Sequence, residues 1–516
     1  MHTHHICWLF TLVLAILGCS PAGEPKDTEN TFPNIIYILA DDLGYGDVSA
    51  FNPAGKIRTP HLDRLAAEGM RFTDAHTSSS VCTPTRYGIL TGRYNWRSPL
   101  KQSVLWGESP ALIPEERLTV ASLLRKAGYH TAFIGKWHLG WGWARDAAGQ
   151  IDFSQPVTHS PNDLGFGYAY GHAASLDIPP YVYVENGRCT AIPADSTVNS
   201  DYMQFWRRGL TAPDFVHEDV TPNFFRRAGR YIDARAATGQ PFFLYLALPS
   251  PHTPILPTAD WQGKSGLNPY GDFVLMIDDY LGQLLRTVEA AGIKDNTLLI
   301  FTSDNGCSPR ADFEGLAAKG HDPSGGFRGH KADIYEGGHR VPFIARWPAR
   351  IAAGGASDRT ICTTDLLATC ADLTGQLLPA DAGEDSFSLL PLFDDPASGD
   401  YRRSTTVHHS INGEFAIRGG DWKLITCPGS GGWSAPRPDR DNLSGLPPFQ
   451  LYNLKTDPGE QRNLYEQHPE KAAELKALLA GLIRRGRSTP GPERKNDRPL
   501  DAEKGWPQIE WTETAD

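Results

Sequence analysis

Asp41 and Asp42 stand side by side, and Asp304-Asn305 repeats the theme with a carboxylate and an amide. Hard oxygen donors without a companion cluster of cysteine or histidine suit Ca2+ or Mg2+ and disfavour zinc. Ca2+ fits better, because it accepts irregular geometry from side chains on distant loops. Arg86, Lys136 and Lys331 supply cations. Around a divalent ion they would frame a cavity for a compact anion such as sulfate or phosphate. His138 and His252 titrate near neutral pH and are candidates for general base and general acid. Taken singly, each has an ordinary role: a strand-end aspartate caps a turn, a lysine sits in solvent, a histidine packs in a core.

Cys82 begins the stretch Cys82-Thr83-Pro84-Thr85-Arg86-Tyr87-Gly88-Ile89-Leu90-Thr91-Gly92-Arg93. Pro84 suits a first helical turn, Thr85 to Leu90 carries the helix onward, and Gly92 punctuates it. Residue types leave two readings open. A thiol at a helix N-terminus is acidic and reactive, while a thiol beside a proline turn is equally at home as a small buried group.

The elements that must deliver these residues are legible as apolar runs. Asn34 to Ala40 (NIIYILA) has the pattern of a strand buried on both faces, and it runs straight into Asp41-Asp42 and the turn LGYGD. Tyr129 to Ile134 precedes Gly135-Lys136-Trp137-His138, Pro241 to Leu248 precedes Pro251-His252, and Asn296 to Thr302 precedes Ser303-Asp304-Asn305. Helices are expected from Thr59-Pro60, over Arg117 to Ala127, Val220 to Ala236 and Asp272 to Ala291, with a further strand over Val341 to Trp347. This alternation predicts an α/β fold with a large, mostly parallel sheet sandwiched by helices. In such sheets ligands bind outside the C-terminal strand ends, where all four polar groups fall. Trp141 to Ser200, crowded with Gly, Pro and aromatics, is expected to form long loops over a pocket. Beyond residue 375, a hairpin (Phe415 to Arg418, Trp422 to Ile425), a strand (Phe449 to Leu454) and a helix (Pro469 to Arg485) predict a smaller C-terminal α+β domain with an antiparallel sheet.

In chain order, Asp41-Asp42, Cys82-x-Pro-x-Arg86, Gly135-Lys136-x-His138, Pro-x-His252, Asp304-Asn305-Gly306 and Gly-x-Lys331 with Tyr335-Glu336-Gly337-Gly338-x-Arg340-Val341-Pro342 form an ordered set. The set resembles the type I formylglycine sulfatases of the alkaline phosphatase-like superfamily. Tyr452 to Leu464 is similar to the C-terminal region of that family, so the resemblance covers most of the chain. It implies that a maturation enzyme oxidises Cys82 to formylglycine, whose hydrate is the nucleophile. One hydroxyl, held on Ca2+, attacks sulfur; His252 protonates the leaving oxygen with Lys331 nearby; the other hydroxyl, deprotonated by His138, then expels sulfate. The implied metal ligands are Asp41, Asp42, the modified Cys82, Asp304 and Asn305, with Arg86 and Lys136 holding the hydrate and the sulfate oxygens. Glu336, Gly337 and Gly338 are assigned to the scaffold. Ser175, in Gly171-His172-Ala173-Ala174-Ser175, matches a position where some family members touch substrate, beside Lys136, His252 and Lys331. The run Ile178 to Asn186 resembles sulfatases of sulfated amino sugars, including 6-sulfated galactosamine; its aromatics either stack on sugar rings or pack the loop.

The implied partner is thus a sulfated oligosaccharide or polysaccharide fragment. Nucleic acid is excluded by 49 Lys and Arg against 60 Asp and Glu, a net charge of −11 without a basic run. Ile6 to Gly18 is a short apolar run ending in Leu17-Gly18-Cys19-Ser20, which looks like a bacterial lipoprotein cleavage box with a lipid anchor at Cys19; an ordinary secretory signal is the alternative. Both readings export the protein, to the periplasm or the outer membrane. Setting aside Cys7, Cys19 and Cys82, five of the eight cysteines remain, an odd number that allows one or two bridges but no full disulfide framework. The expected organisation is a signal segment (1–19), a tether (20–32), a catalytic domain (33–376), a connection (377–404), the C-terminal subdomain (405–490) and a tail (491–516). Two other functions compete: a phosphatase or phosphodiesterase of the same superfamily, and a non-catalytic sugar-binding lipoprotein.

Overall fold

The run NIIYILAD forms β1 (Asn34–Asp41), and every residue after Asn34 in it is buried. Its β-branched and aromatic side chains suit a pleated surface covered on both sides. In this computed structural model, which describes residues 1–2 and 32–497, β1 lies inside a ten-stranded sheet. The leader, Cys7 and Cys19 lie outside the described residues.

The sheet further contains β2 (Met70–Phe72), β3 (His130–Lys136), β4 (Tyr168–His172), β5 (Val184–Glu185), β6 (Arg188–Cys189), β7 (Phe242–Pro251), β8 (Thr297–Ser303), β9 (Phe343–Arg346) and β10 (Gly355–Ser357). Its order is β10-β2-β9-β8-β1-β7-β3-β4-β5-β6. The central five strands, β8-β1-β7-β3-β4, are all parallel, and antiparallel pairs flank them on both sides. Five C-terminal strand ends therefore meet along one edge. Helices α1 (Pro60–Glu68), α2 (Cys82–Thr91), α3 (Val120–Lys126), α4 (Val220–Ala236) and α5 (Pro269–Ala290) cover the sheet. Each fully buried Ile or Leu of the central strands contributes about 1.5–3 kcal/mol relative to an exposed one.

A separate four-stranded antiparallel sheet is built from β11 (Thr405–His409), β12 (Phe415–Gly419), β13 (Trp422–Ile425) and β14 (Gln450–Asn453). Helix α6 (Pro469–Arg485) packs on it through Leu475, Leu479 and Ile483. The mixed α/β architecture with a smaller antiparallel sheet is the one expected.

Two expectations need correction, and the question of bridges is answered. The 141–200 region is not only loops: Tyr168–His172 is the fifth parallel strand, paired Lys136 to His172. YAYGH carries one β-branched-free, Gly-containing pattern too short to announce itself. Helix α3 begins at Val120 rather than Arg117, because the Thr119 side chain caps it by accepting from Ser122 N. Disulfides do not contribute among the described residues, where all six cysteines are free. No described helix is long and apolar enough to cross a membrane.

Candidate active site

β8 hands on Asp304 and Asn305, β1 ends in Asp41 ahead of Asp42, and β7 ends at Pro251 ahead of His252. β3 ends in Lys136, two residues before His138, and β4 leads into the loop that holds Ser175. Cys82 arrives as the first residue of α2, all ten residues of which are buried.

The backbone is held in demanding conformations at two of these positions. Asp42 has φ 65° and His138 has φ 56°, the left-handed region that side chains adopt when their surroundings over-determine them. Asp42 donates its N–H to Asp304 Oδ1 (3.2 Å), accepts from Asn305 Nδ2 at Oδ1 (2.7 Å), and its carbonyl accepts from Tyr270 (3.2 Å). His138 donates its N–H to the Ala173 carbonyl (2.9 Å), and its own carbonyl accepts from Thr83 Oγ1 (2.9 Å), which fixes it beside Cys82. Just before Lys136, a Cβ on Gly135 would lie 1.8 Å from the Ala247 carbonyl oxygen, so only glycine lets β3 and β7 close up there.

Asp41, Asp42, Cys82 and His252 each place one donor atom within 4.8 Å of the others. Lys136 Nζ lies 2.5 Å from Asp41 Oδ2, and Lys331 Nζ lies 2.8 Å from Asp42 Oδ2. His252 Nε2 is 3.7 Å from the same Asp42 oxygen, and Cys82 Sγ is 3.7 Å from Asp41 Oδ1. Arg86 donates Nε (3.0 Å) and Nη2 (2.9 Å) to Asp304 Oδ2 and Nη1 (2.8 Å) to the Lys136 carbonyl. Its guanidinium is therefore fully engaged in holding strand ends together. Ten of the eleven residues singled out from the sequence form this one cluster. Ser175 is buried two residues beyond Ala173, and its hydroxyl makes no hydrogen bond among the described residues.

Two buried atoms in the cluster lack partners. Asn305 donates through Nδ2 to Asp42 and to the Gly306 carbonyl, leaving Oδ1 without a donor. His138 Nε2 meets the Leu105 carbonyl at 2.8 Å and must donate to it, so the unpartnered Nδ1 carries the lone pair. An orphaned amide oxygen among carboxylates is a cation ligand in waiting, and a buried imidazole lone pair is a base.

Electrostatics settle the two readings of Cys82. Burial pushes its thiol up to about 12, with Asp304 and Asp41 adding to the effect and Lys136 and Lys331 opposing it. Of the two readings, the small buried thiol is the one the surroundings favour over the acidic one: desolvation outweighs the helix terminus and the lysines. At Asp41 burial acts to raise the carboxyl, but Lys136, His252, Arg86 and Lys331 outweigh it and hold the group well below the usual carboxylate range. Burial, aided by Asp41, pushes Asp304 up to about 7 against the pull of Arg86. His138 is held well below its ordinary value by burial and then by Lys136, which keeps it neutral.

Sequence reasoning missed the layer behind these residues. Tyr270 bridges the Asp42 carbonyl and Asp47, whose Oδ1 lies 2.8 Å from His321 Nε2 and whose Oδ2 accepts from Gly44 N at 2.8 Å. Asp47 ends the LGYGD turn and was the available signal; Tyr270 and His321 carry none. His172 is buried beside Lys136 with Nε2 unpartnered, and burial followed by Lys136 pushes it down to about 3. The aromatics of Ile178 to Asn186 pack the loop: Tyr181 and Tyr183 are buried, and Tyr183 sits 4.6 Å from Phe215.

Oxygen donors, cations and histidines crowded at the C-terminal edge of this sheet define a hydrolase of tetrahedral-anion esters on the alkaline phosphatase-like fold. A family model described as Sulfatase matches residues 33–376. The chain belongs to the sulfatase family and is a sulfuric ester hydrolase. It is 34% identical over 510 residues to an N-acetylgalactosamine-6-O-sulfatase of Bacteroides thetaiotaomicron, covering 91% of this chain and 97% of that one. It is 34% identical over 472 residues to human arylsulfatase A, covering 88% and 86%. A solved sulfatase structure, from work on the metabolism of multiple glycosaminoglycans by Bacteroides thetaiotaomicron, superposes with a TM-score of 0.76 at 33% identity, covering 88% of this chain and 99% of that one.

Proposed function

We propose that this sulfatase releases sulfate from 6-sulfated N-acetylgalactosamine in glycosaminoglycan-derived saccharides, using Ca2+ and a formylglycine made from Cys82. The observation that carries the reading is the buried Cys82 thiol, pushed up to about 12 where a nucleophile is needed, its sulfur 3.7 Å from Asp41 Oδ1 and within 4.8 Å of donor atoms of Asp42 and His252. A protonated thiol does no nucleophilic work there, and conversion to an aldehyde hydrate removes the obstacle. The substrate assignment leans on the 6-O-sulfatase relative of Bacteroides thetaiotaomicron.

The donor set fits Ca2+. Asp41, Asp42, Asp304 and Asn305 supply hard oxygens, and Asn305 Oδ1 has no other partner. These four would hold the ion, with the modified Cys82 beside them, and the ion would supply positive charge to the sulfate group and the nucleophile. His138 Nδ1, neutral and buried, takes a proton. His252 donates Nδ1–H to the Thr253 carbonyl (2.6 Å), which turns Nε2 toward Asp42 Oδ2 (3.7 Å); burial lowers this ring, so it would first take a proton from solvent at Nε2, as an imidazolium beside Asp42, and then pass it to the leaving oxygen. Lys331 and Lys136 offer their ammonium groups to oxygen atoms of the substrate, and Arg86 keeps Asp304 and β3 in register. Export to the periplasm or outer membrane, with a lipid at Cys19, completes the proposal and rests on the leader sequence alone.

The test is sulfate release by enzyme whose Cys82 peptide carries the aldehyde by mass spectrometry. N-acetylgalactosamine 6-sulfate should be turned over with kcat/KM at least about tenfold above its 4-sulfate isomer and its 6-phosphate counterpart. Dominant phosphate hydrolysis, or preference for the 4-sulfate, overturns the reading.

A further inference from the structure

The buried aromatics of the 178–186 loop leave no ring to face a sugar, yet exposed rings stand elsewhere on the rim. Trp106 is 53% exposed and Tyr202 is 56% exposed. Between them runs a row of alternating rings and guanidinium groups. The Arg207 guanidinium lies 5.1 Å from the Trp106 ring and 5.4 Å from Phe205; that of Arg310 lies 5.4 Å from Phe205 and 4.6 Å from Tyr202.

Four of the five members are tied by hydrogen bonds, or by position in the chain, to segments that carry site residues. The Leu105 carbonyl beside Trp106 accepts from His138 Nε2 (2.8 Å). The Met203 carbonyl beside Tyr202 accepts from Ile255 N (2.9 Å), three residues past His252. Arg207 donates to the Asp177 carbonyl (3.1 Å), two residues past Ser175, and pairs with the Asp177 carboxylate. Arg310 follows Asn305 by five residues and donates to the Tyr202 carbonyl (3.1 Å). The row is thus continuous with the mouth of the site.

Its charge is unbalanced. Asp177 neutralises Arg207, but among the described residues no carboxylate pairs with Arg310. On a chain of net charge −11, a half-buried cation left without a carboxylate partner beside the catalytic mouth favours an anionic visitor. Rings that stack on the apolar faces of sugars, interleaved with a free guanidinium, suit a carbohydrate that carries a carboxylate or sulfate.

We propose that Trp106, Arg207, Phe205, Arg310 and Tyr202 form a subsite for the sugar next to the one that loses sulfate, and that this neighbour is anionic, with Arg310 receiving its charge. The inference rests on the proposed action on a glycan and adds its direction: the enzyme reads a charged oligosaccharide along this rim rather than a lone monosaccharide.

The probes are N-acetylgalactosamine 6-sulfate and the disaccharide in which a hexuronic acid is joined to it. For the parent enzyme, kcat/KM for the disaccharide should exceed that for the monosaccharide. Arg310→Gln should lower that ratio at least about threefold, the scale of one exposed charge pair, and Trp106→Ala at least about fivefold through lost ring contact. A ratio lowered less than threefold in Arg310→Gln overturns the subsite. Absence of sulfate release from both probes by formylglycine-bearing parent enzyme would overturn the functional reading instead. Calorimetric binding of the disaccharide to Cys82→Ala protein, with and without Arg310→Gln, then decides the rim by itself: threefold weaker binding supports it, and unchanged binding or none overturns it.

Discussion

Two buried clusters of charge in this molecule have the same inventory and opposite fates. The catalytic cluster holds three carboxylates (Asp41, Asp42, Asp304) and three cations (Arg86, Lys136, Lys331). A second cluster, where the small sheet meets the Glu336–His339 turn, also holds three carboxylates (Asp74, Glu336, Glu460) and three cations (Arg340, Arg418, Lys423). In the second, every charge is satisfied by another. Lys423 on β13 lies 3.0 Å from Glu336 and 2.8 Å from Glu460, and Arg418 and Arg340 lie 2.6 Å and 3.2 Å from Asp74. Of its three histidines, His339 and His408 stack 3.9 Å apart and His76 is tilted to both; their ring nitrogens lie within 4.8 Å of one another, but His76 Nδ1 meets His339 Nδ1 at 3.1 Å and His76 Nε2 meets Asp74 at 3.0 Å. His339 Nε2 is moreover occupied by Lys423 at 3.0 Å. The catalytic cluster keeps two open valences, Asn305 Oδ1 and His138 Nδ1. His408 Nε2 is left open in the second cluster too, so what sets the catalytic cluster apart is where its open atoms lie: an amide oxygen and an imidazole among carboxylates at the C-terminal edge of the parallel sheet.

The contrast is broken most directly at Cys82. Cys82→Ala should lower sulfate ester hydrolysis by about 10⁴-fold or more, the scale of losing a nucleophile, while the melting temperature changes little. Loss of activity together with unfolding would instead make Cys82 a structural thiol and erase the distinction between the clusters.

A matched pair of lysine substitutions sharpens it. Lys331→Met removes a cation whose partner Asp42 has further ligands, so activity should fall about 10²-fold with stability little changed. Lys423→Met leaves Glu336 and Glu460 facing each other in the core without their shared cation, which should cost about 3–5 kcal/mol in chemical unfolding. Equal stability losses in the two variants would show that both clusters are structural.

The two clusters also differed in how far the sequence announced them. The catalytic residues stand where continuous apolar runs stop abruptly, as at Ala40-Asp41 and Ser303-Asp304, and a parallel sheet turns such endings into one edge. Cys82 was visible too, but its titration was not: helix position argued for an acidic thiol, and only the surrounding burial reversed the sign. The second cluster was visible only in pieces: Glu336 and Arg340 stand in the Tyr335 to Pro342 motif and Glu460 in the Tyr452 to Leu464 run, with nothing to say that they meet. Lys423 sits in the strand Trp-Lys-Leu-Ile, where alternation places a lysine in solvent, and its partners Glu336 and Glu460 are far away in sequence. Glu336 read as part of a glycine turn, which is true of its backbone and silent about its carboxylate. The rim row escaped for the same reason, since Trp106, Arg207 and Arg310 come from three separate loops.

The smallest expected effect lies in the pH dependence of the histidine stack. Burial, before any neighbour, holds His76 below the ordinary histidine value and His339 and His408 well below it, so the fold disfavours their charged forms. The unfolded chain takes up protons on these rings at about 6.5. The unfolded state therefore binds more protons on the acid side, and the stability these groups permit, complete above about pH 6.5, is lost as pH falls. Asp74 and Glu336, held low despite burial chiefly by Arg340 and by Lys423, act in the same direction but only near and below the carboxylate range. Between pH 6.5 and 5 each histidine kept neutral contributes up to about 1.4 kcal/mol per pH unit, while buried carboxyls pushed up to about 7, Glu460 and Asp304 among them, act in the opposite direction, so the histidine share is read as the difference between parent and variant. His408→Gln retains a donor for the Thr77 carbonyl, which His408 Nδ1 meets at 3.0 Å, and removes one titrating ring. Unfolding free energies measured across that interval should give a slope shallower than the parent's by roughly that amount. Superimposable slopes would mean that His408 binds protons alike in the folded and unfolded states, and that burial does not keep this ring neutral as its surroundings imply.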